Sequence, residues 1–362
     1  MTDAAAALEQ RPFSVPSARK AVELLDGLNA LSRHHEQGSE PYRRMVEAMF
    51  PAGRPARSLD EVPWLPVQIF KRLELASVPR DRIVRTLTSS GTSGQLPSRI
   101  LLDRETANAQ TKALVRIAGE FLGKARRPMV IVDDNSFLQD RSRFNARAAG
   151  ILGFSTLGRD HFYLLDAALR PDWEALRAYL DRQGDTPMLL FGFTFIVWQH
   201  FVEAAKADGV SIRFPAGSAL VHGGGWKRLE ERRVSEAAFK AALAETFGIE
   251  RVHNYYGMVE QVGSIYFECE QGWLHAPAYS DILIRDPKTL EPLPYGETGL
   301  VQVLSLLPHS YPGHSLLTED LGTVYGEDDC PCGRLGRYFK VHGRLKNVEM
   351  RGCSDTRATP AP

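Results

Sequence analysis

Neither sign of charge is in excess in this sequence of 362 residues, and that absence excludes several classes of protein. Lysine and arginine together number 44, aspartate and glutamate also number 44, and the formal net charge at pH 7 is therefore zero. Proteins that bind nucleic acid through its phosphates usually carry a basic stripe or patch. We therefore expect no nucleic acid partner for this chain.

Long hydrophobic runs are also absent. The most apolar segment, residues 187–201, contains Gly192, Gln199 and His200, and it is shorter than the roughly 20 residues that cross a bilayer as a helix. The first ten residues do not join a basic cluster to an apolar stretch, so they lack the pattern of a signal peptide. These absences predict a cytoplasmic protein with no membrane span.

Cysteine is scarce, because the chain contains only Cys269, Cys330, Cys332 and Cys353. So few cysteines in a chain without an export signal favour reduced thiols, metal ligands or a nucleophile over disulfides. The first three, together with His275, could complete a tetrahedral zinc site. Their spacing is not that of a standard zinc finger, so buried thiols without a metal are the alternative.

Strands and helices alternate from about residue 83 onward, and this alternation predicts an α/β fold. Before it, residues 17–50 have apolar positions at helical spacing and predict helical structure. We therefore divide the chain into three parts. Residues 1–80 form a helical N-terminal part packed on the core, residues 81–345 form the α/β core, and residues 346–362 form a mobile polar tail.

A loop rich in hydroxyl groups follows the first predicted strand. Residues 88–94 contain five serine or threonine residues and two glycines. Glycine lets the backbone approach a ligand closely, and successive N–H and hydroxyl groups can surround phosphate oxygens. No Gly-Lys-Ser/Thr follows, so this is not a Walker loop. An ordinary polar turn is the alternative reading of such a short segment.

Two further glycine segments follow predicted strands. Gly223 and Gly224 allow close approach of a flat or charged ligand. The His-Gly-Gly-Gly run also resembles the oxyanion loop of some esterases, but the Gly-x-Ser-x-Gly elbow that an esterase requires is absent. The second segment contains Tyr256, Gly257 and Glu260. A tyrosine ring can stack on a base, and a carboxylate can bind a magnesium ion that bridges phosphates. A core aromatic residue beside a surface glutamate is the alternative.

In this order, the motifs resemble those of the adenylate-forming superfamily of acyl and aryl acid ligases. Within that superfamily, the chain resembles the LuxE-type acyl-protein synthetases from about residue 60 to 356. The superfamily motifs are Ser90–Gly94, Gly223–Gly224, Tyr256–Glu260, Thr318–Asp320 and Gly343–Arg344. The stretches that support the LuxE type are Pro63–Pro66, Phe70–Lys71, Ser89–Gly94, His222–Lys227 and Arg351–Thr356.

The resemblance implies an enzyme that uses ATP and magnesium to activate a carboxylic acid, expected to be a fatty acid, as acyl-AMP. Magnesium would be bound by Glu260. Phe191, Phe193 and Trp198 are candidates for the acyl pocket, although such an apolar run is commonly plain core. The residues implied for ATP or AMP are Ser89, Ser90, Gly91, Thr92, Ser93 and Gly94 at the phosphates, Gly223, Gly224, Tyr256 and Gly257 at the adenine, Asp320 at the ribose and Arg344 at the ribose or phosphate.

The expected architecture is the large N-terminal domain of the superfamily without its usual small C-terminal domain. Typical members carry about a hundred further residues with a catalytic lysine, whereas this sequence stops 18 residues after Arg344. LuxE-type proteins are similarly short. Lys340 or Lys346 would have to replace the missing lysine, if any residue does.

Cys353 lies in the predicted tail, close to Arg351. A thiolate is a strong nucleophile, and a nearby cation lowers the pKa of its thiol. LuxE-type proteins hold their acyl group on a C-terminal cysteine, and the resemblance assigns that role to Cys353. It further implies delivery of the acyl group to a LuxC-like acyl reductase or another acceptor protein. An exposed thiol without a role is the alternative.

Two other functions stay open at this point. The protein could be a stand-alone ligase that passes its acyl group from AMP to coenzyme A, a carrier protein or an amine. It could also be a non-catalytic subunit that binds a nucleotide or an acyl group. The presence of Glu260, Asp320 and Arg344 favours catalysis. The residues alone do not distinguish a long fatty acid from a short or an aryl acid.

Overall fold

A computed structural model describes residues 3–51, 55–89, 96–139, 146–226, 231–261 and 263–345. Its α-helices are α1 (Asp3–Glu9), α2 (Ser17–Gly38), α3 (Glu40–Met49), α4 (Ile69–Arg72), α5 (Arg104–Leu122), α6 (Ser136–Gln139), α7 (Ala146–Ser155), α8 (Trp173–Gln183), α9 (Thr194–Ile196), α10 (Ala204–Ala207) and α11 (Glu236–Phe247). Short 3₁₀-helices span Leu59–Glu61, Arg80–Arg82 and Val259–Gln261, and a π-helix spans Val197–Glu203.

The strands fall into two large sheets and one hairpin. In chain order they are β1 (Leu65–Pro66), β2 (Ile83–Thr88), β3 (Arg99–Asp103), β4 (Arg127–Val132), β5 (Gly158–Tyr163), β6 (Leu189–Phe193), β7 (Ala219–Gly223), β8 (Arg251–Tyr256), β9 (Tyr266–Phe267), β10 (Leu274–His275), β11 (Ser280–Arg285), β12 (Gly299–Ser305), β13 (Ser315–Glu327) and β14 (Arg337–Arg344). The mixed α/β fold predicted from the sequence is confirmed.

The first sheet has the strand order β5-β4-β6-β7-β8-β9. Strands β4 to β8 are parallel, and β9 joins β8 in the antiparallel direction. β6 and β7 are buried along their whole length, as expected for parallel strands that read as continuous apolar runs. Parallel strands end at the same edge of a sheet, so the segments after β4, β6, β7 and β8 meet there.

The second sheet is antiparallel, with the order β10-β14-β13-β12-β11, and β1 adds to β13 in the parallel direction. Its buried face contains Ile282, Val303 and Phe339, among other apolar side chains. The register of β13 and β14 places Asp320 directly opposite Arg344. Two residues that are distant in the sequence therefore become neighbours.

The hairpin of β2 and β3 carries the hydroxyl-rich loop at its tip. Thr88 pairs with Arg99 in the last described register position before the loop. β3 is buried and leads directly into α5, whose first turn is capped by Asp103. The Asp103 carboxylate accepts a hydrogen bond from the backbone N–H of Thr106 at 2.8 Å, which satisfies a free donor of the helix terminus.

Residues 17–50, predicted to be helical, form two helices, α2 and α3, which are separated at Ser39. This residue has an extended backbone, with φ −138° and ψ 100°. Pro41 follows in the first turn of α3, where its missing N–H is harmless, but a proline disfavours continuation of a helix from the preceding turn. Among the described residues, no helix is both long and apolar enough to cross a membrane.

Helix α2 is attached to the second sheet through a buried charge. The Lys20 ammonium lies 3.5 Å from Asp281 Oδ1 and donates a hydrogen bond to the carbonyl of Ala276 at 3.2 Å. Burial lowers the pKa of Lys20, and the negative charge of Asp281 acts in the opposite direction. Burying a lysine is tolerable only with such partners. The predicted boundaries near residues 80 and 345 remain predictions.

Candidate active site

The base of the hydroxyl-rich loop is closed by two serines. The backbone N–H of Ser89 donates to the Ser98 carbonyl at 3.1 Å, and the backbone N–H of Ser98 donates to Ser89 Oγ at 2.9 Å. The hydroxyl of Ser98 is buried and has no hydrogen-bond partner within the described residues. Ser90–Gly94, which carry most of the predicted phosphate contacts, lie outside the described residues.

The glycine segment at the end of β7 allows no side chain. A Cβ on Gly223 would come within 2.6 Å of the Tyr255 ring, and a Cβ on Gly224 within 2.9 Å of the Phe193 ring. Gly224 also has a φ of +85°, in the left-handed region that favours glycine. Two aromatic rings therefore pack directly on the backbone of these glycines at the carboxyl edge of the first sheet. The role of Gly223 and Gly224 at an adenine remains a prediction.

Thr194, which sequence reasoning did not single out, holds this glycine segment in place. Its hydroxyl donates to the Gly223 carbonyl at 3.1 Å and lies 3.0 Å from Nδ1 of His222. Because the Thr194 hydroxyl donates its only proton to the Gly223 carbonyl, Nδ1 of His222 must donate in its bond to Thr194. Burial lowers the pKa of His222 to about 3, so this ring is neutral. A hydroxyl immediately after a buried strand was the available sequence signal.

Three residues predicted to bind the nucleotide meet where the two sheets adjoin. The hydroxyl of Tyr256, the last residue of β8, donates to Asp320 Oδ2 on β13 at 2.7 Å. On the other side, Arg344 Nε lies 3.6 Å from Asp320 Oδ1, and Arg344 Nη1 lies 3.9 Å from the neighbouring Glu319. The side chain of Arg344 is 67% exposed, so its guanidinium remains accessible to a ligand. Tyr256, Asp320 and Arg344 form one cluster.

Burial sets the electrostatics of this cluster. It raises the pKa of Asp320, although the Tyr256 hydroxyl and the Arg344 charge act to lower it. Burial and the nearby carboxylate of Asp320 raise the pKa of Tyr256 well above its usual value, so the phenol keeps its proton. The cluster therefore presents a carboxylate whose charge is incompletely compensated, and hydroxyl donors from a ligand would stabilise it.

Glu260 lies close to the strand that leaves the hydroxyl-rich loop. It is buried on the 3₁₀-helix Val259–Gln261, which packs against β3. The next residue fixes this turn, because the Gln261 side-chain amide donates to the carbonyls of Val303 at 2.9 Å and Gly313 at 3.1 Å. A carboxylate is a ligand that Mg²⁺ prefers, so Glu260 has the right chemistry for the predicted metal.

The structure separates the three candidate acyl-pocket residues. Phe191 is fully buried within the core, where its ring stacks on Phe154 at 4.4 Å. Phe193 lies against the glycine segment, and Trp198, on the π-helix, packs edge-to-face on Trp226 at 5.8 Å. Phe193 and Trp198 thus border the carboxyl edge of the first sheet, whereas Phe191 lies behind it.

Sequence reasoning also missed an ion pair at the end of β4. Arg147 forms an ion pair with the buried Asp133, with Nε 2.7 Å from Oδ2, and lies 3.1 Å from Asp134. Burial raises the pKa of Asp133, although Arg147 acts to lower it. The Asp-Asp pair after a buried strand was visible in the sequence, but nothing in the sequence pointed to Arg147 as its partner.

A second cluster joins three thiols and one imidazole. The ligand atoms of Cys269, His275, Cys330 and Cys332 all lie within 4.8 Å of one another. Sγ of Cys269 is 4.0 Å from Sγ of Cys330, and Sγ of Cys332 is 3.3 Å from Nε2 of His275. Cys332 is partly exposed and the other three are buried. The four residues that the sequence suggested as zinc ligands are therefore adjacent.

The thiols of this cluster differ in acidity. Burial raises the pKa of Cys330 to about 12 and also raises the pKa of Cys269. Burial acts in the same direction on Cys332, but hydrogen bonds from Arg334 and Cys330 outweigh it and lower the pKa of this thiol. Arg334 is itself held by Glu270, at 2.6 Å, and by the Phe121 ring, whose centre lies 4.0 Å from the guanidinium carbon.

Sequence comparison decides the family. The family model described as acyl-protein synthetase, LuxE, matches residues 5–359. The chain belongs to the LuxE family of acyl-protein synthetases. Two curated relatives are long-chain-fatty-acid–luciferin-component ligases. The Vibrio harveyi protein is 25% identical over 333 residues, covering 89% of this chain and 84% of the relative. The Aliivibrio fischeri protein is 25% identical over 304 residues, covering 82% and 78%.

Solved structures agree on the fold. The LuxE-family chain is similar to 2-hydroxyisobutyryl-CoA ligase in an open conformation in complex with 2-HIB-AMP and CoA, with a TM-score of 0.68 and 18% identity. That match covers 93% of this chain and 77% of the ligase. A postadenylation state of the same ligase matches with a TM-score of 0.68 and 19% identity, covering 93% and 70%. The predictions of an adenylate-forming fold, of the LuxE family and of a ligase are confirmed.

Proposed function

We propose that this LuxE-family protein uses ATP to activate a fatty acid as acyl-AMP and then accepts the acyl group on Cys353. The observation that carries the first part is the cluster of Tyr256, Asp320 and Arg344. Tyr256 comes from the first sheet, and Asp320 and Arg344 come from the second. Tyr256 directly follows Tyr255, the residue that pairs with Gly223 in the first sheet. Such an arrangement offers a ring, a hydroxyl acceptor and a cation to one nucleotide.

The first step is a substitution at phosphorus. A carboxylate oxygen of the acid attacks the α-phosphorus of ATP, the new C–O–P linkage forms, and the bond from the α-phosphorus to the bridging oxygen breaks. Pyrophosphate leaves with that electron pair, and no proton has to be transferred. Positioning and charge neutralisation therefore matter more than a general base. This fits a site that contains hydroxyls, backbone N–H groups and an arginine.

Each nucleotide contact in the proposal uses the chain's own side chains. Ser89 and the undescribed Ser90–Gly94 would donate to the β- and γ-phosphates, and Asp320 would accept hydrogen bonds from the ribose hydroxyls. Arg344 would bind the ribose or the α-phosphate. Gly223 and Gly224 would border the adenine, with Tyr256 and Gly257 on its other side. The carboxylate of Glu260 would hold Mg²⁺, which neutralises phosphate charge when bound.

The proposed acid is a fatty acid, since the curated relatives are named long-chain-fatty-acid ligases. Phe193 lies against the glycine segment, and Trp198 packs on Trp226, which directly follows Gly225. An apolar wall next to the site of phosphorus chemistry suits an alkyl chain. We place Phe191 behind this wall, where it supports the wall through Phe193 at a ring distance of 5.7 Å.

In the second step, the acyl group moves from AMP to sulfur. The Cys353 thiolate attacks the acyl carbon, a C–S bond forms, the C–O bond to phosphate breaks, and AMP leaves; the thiol proton goes to solvent. Cys353 lies outside the described residues, which end at Leu345. Leu345 follows Arg344 directly, and its N–H donates to the Glu319 carbonyl at 3.0 Å. Eight residues span at most about 28 Å, so a chain leaving from Leu345 can return to the site.

The acyl thioester would then be consumed by a reductase. A thioester carbonyl can be reduced to an aldehyde by a hydride donor, with release of the free thiol. The curated relatives are named ligases of a luciferin component, and the family resemblance includes a LuxC-like acyl reductase as the partner. We propose such a reductase as the acceptor.

The test is intact-protein mass spectrometry after incubation with ATP, magnesium and carboxylic acids of increasing chain length. We expect an acyl-sized mass gain with a fatty acid, and its removal by hydroxylamine. Cys353→Ser should abolish the adduct while acid-dependent ATP–pyrophosphate exchange continues. Ser354→Ala is the matched control in the same tail and should keep the adduct.

Three other results would change the proposal. An adduct that persists in Cys353→Ser would exclude Cys353 as the acceptor. AMP formed only when coenzyme A, a carrier protein or an amine is added would identify a stand-alone ligase. A protein that shows neither exchange nor an adduct with any acid would be a binding subunit.

A further inference from the structure

The cluster of Cys269, His275, Cys330 and Cys332 takes no part in the proposed reaction. Cys269 lies in the turn after β9, and His275 is the last residue of β10. The other two lie in the connection between β13 and β14. Two turns that are more than fifty residues apart in the sequence thus present four donor atoms to one point.

We propose that Cys269, His275, Cys330 and Cys332 bind one zinc ion in a closed structural site, and that this ion fastens together the two sheets that form the nucleotide site. The donor set of three sulfurs and one nitrogen is one that structural zinc sites use. Every position of a tetrahedral ion would be filled by protein, which leaves no position for water or substrate.

The distances fit this ion. With Zn–S bonds of about 2.3 Å and a Zn–N bond of about 2.0 Å, tetrahedral geometry separates two sulfurs by about 3.8 Å and a sulfur from a nitrogen by about 3.5 Å. Two pairs are close to these values, at 4.0 Å between the sulfurs of Cys269 and Cys330 and 3.3 Å between Cys332 Sγ and His275 Nε2, and all four ligand atoms lie within 4.8 Å of one another. A zinc ion would enter with small adjustments of the side chains.

The charge of the surroundings also fits. Three thiolates, a neutral imidazole and Zn²⁺ sum to one negative charge in a largely buried place, and a buried charge needs a partner. Arg334 supplies a positive charge beside Cys332, to which it donates hydrogen bonds. The guanidinium is oriented by Glu270 and by Phe121. Such a group around the ligands is typical of protein metal sites.

The position of the cluster gives the ion a mechanical role. Cys269 continues from β9, which pairs with β8, the strand that ends at Tyr256. Cys330 and Cys332 join β13 to β14, the strands that carry Asp320 and Arg344. An ion that connects these turns would fix β8 relative to β13 and thereby keep the Tyr256 hydroxyl within reach of Asp320. This second part rests on the proposed function.

Metal content is the first measurement, made on full-length protein purified without chelators. We expect close to one zinc per chain, and replacement of zinc by cobalt should give the strong visible absorption of tetrahedral thiolate-bound Co²⁺. Cys353→Ser is the matched control, since it removes the one cysteine outside the cluster and should leave the metal content unchanged. His275→Cys keeps four ligands and should also retain zinc, whereas the pair Cys330→Ser and Cys332→Ser should lose it.

Three outcomes would overturn the zinc site. One is folded protein, judged by circular dichroism, that takes up neither zinc nor cobalt. Another is retention of the metal after loss of both Cys330 and Cys332. The third is a mass lower by two hydrogens that a reductant restores and that Cys353→Ser does not abolish, because it would indicate a disulfide within the cluster instead. The His275→Cys variant keeps the test informative if the double variant does not fold.

ATP affinity, measured by calorimetry on the zinc-loaded and the zinc-depleted protein, tests the fastening of the sheets. We expect at least about fivefold weaker ATP binding without zinc, the lower end of usual couplings between two sites. Equal affinities in two folded forms would overturn this role and leave the zinc site standing. ATP binding by neither form would overturn the proposed function together with the coupling, while the metal content would still decide the site.

Discussion

The substitution Asp320→Asn separates the nucleotide role of this residue from its role in folding. The carboxylate accepts from the Tyr256 hydroxyl at 2.7 Å, and an amide oxygen can accept the same bond. The ion pair with Arg344 is lost, but that arginine is largely exposed and the 3.6 Å pair contributes about 0–1 kcal/mol at most. The folded protein should therefore keep its structure.

The size of the effect on ATP follows from the ribose contacts. A hydrogen bond to a charged group contributes about 1.5–3 kcal/mol, and a neutral one about 0.5–1.5 kcal/mol. Two ribose hydroxyls that donate to an amide instead of a carboxylate would lose about 2 kcal/mol together. We therefore expect ATP to bind about 30-fold more weakly to Asp320→Asn.

Stability should move in the other direction or not at all. Burial raises the pKa of Asp320, which means that the ionised carboxylate is less stable in the ATP-free protein than in water. Removal of the charge relieves that disadvantage, so the melting temperature at neutral pH should be unchanged or higher. Weaker ATP binding by an equally stable protein would mark Asp320 as a binding residue.

The assay combines calorimetry with ATP, exchange of pyrophosphate, and thermal denaturation. Glu319→Gln is the matched control, because Glu319 is the adjacent carboxylate and also lies near Arg344, at 3.9 Å, but receives no hydrogen bond from Tyr256. It should change ATP affinity less than threefold. Equal effects of Asp320→Asn and Glu319→Gln, or a loss of affinity that only follows a loss of stability, would refute the reasoning.

Two further predictions concern the glycine segment and the buried histidines. Gly224→Ala should be about 1–3 kcal/mol less stable than Gly225→Ala in denaturant unfolding. Both positions have a positive φ, but only a Cβ on residue 224 would come within 2.9 Å of Phe193. Equal losses of stability in the two variants would contradict this. Burial lowers the pKa of His314 to about 3, so below pH 6.5 the unfolded chain binds a proton that the folded chain does not, and stability falls as pH decreases. Between pH 6 and 5, where an unfolded histidine binds about 0.9 proton on average, His314→Gln should reduce this slope by about 1.2 kcal/mol per pH unit. An unchanged slope would show that other groups cause the acid sensitivity.

Several features of the site could be predicted because they depend on local chemistry. Each of these features needs only a few consecutive residues: glycines after strands, a hydroxyl-rich hairpin loop, and a carboxylate at the end of an apolar run. Their order along the chain predicted the superfamily fold and brought Tyr256, Asp320 and Arg344 into one hypothesis. The break between α2 and α3 at Ser39 is also local, because Pro41 lies in the first turn of α3.

Other features depend on contacts that no local pattern encodes. Phe191 and Phe193 lie on the same face of one buried strand. Only the packing of Phe154 and of the glycine segment shows that Phe191 lies in the core and Phe193 at the edge. The partners of Asp133 and His222 are Arg147 and Thr194, which come from other parts of the chain. Long-range pairs of this kind require the fold.

The sequence by itself determined the elements, the family and the kinds of chemistry available, because helix caps, strand patterns and glycine motifs act over a few residues. The tertiary structure decided which of these groups meet. The register of β13 against β14 sets Asp320 opposite Arg344, and the pairing of β10 with β14 brings His275 to the thiols of the adjoining turn. Register and sheet order arise from the packing of whole strands, so they cannot be read from any short stretch of sequence.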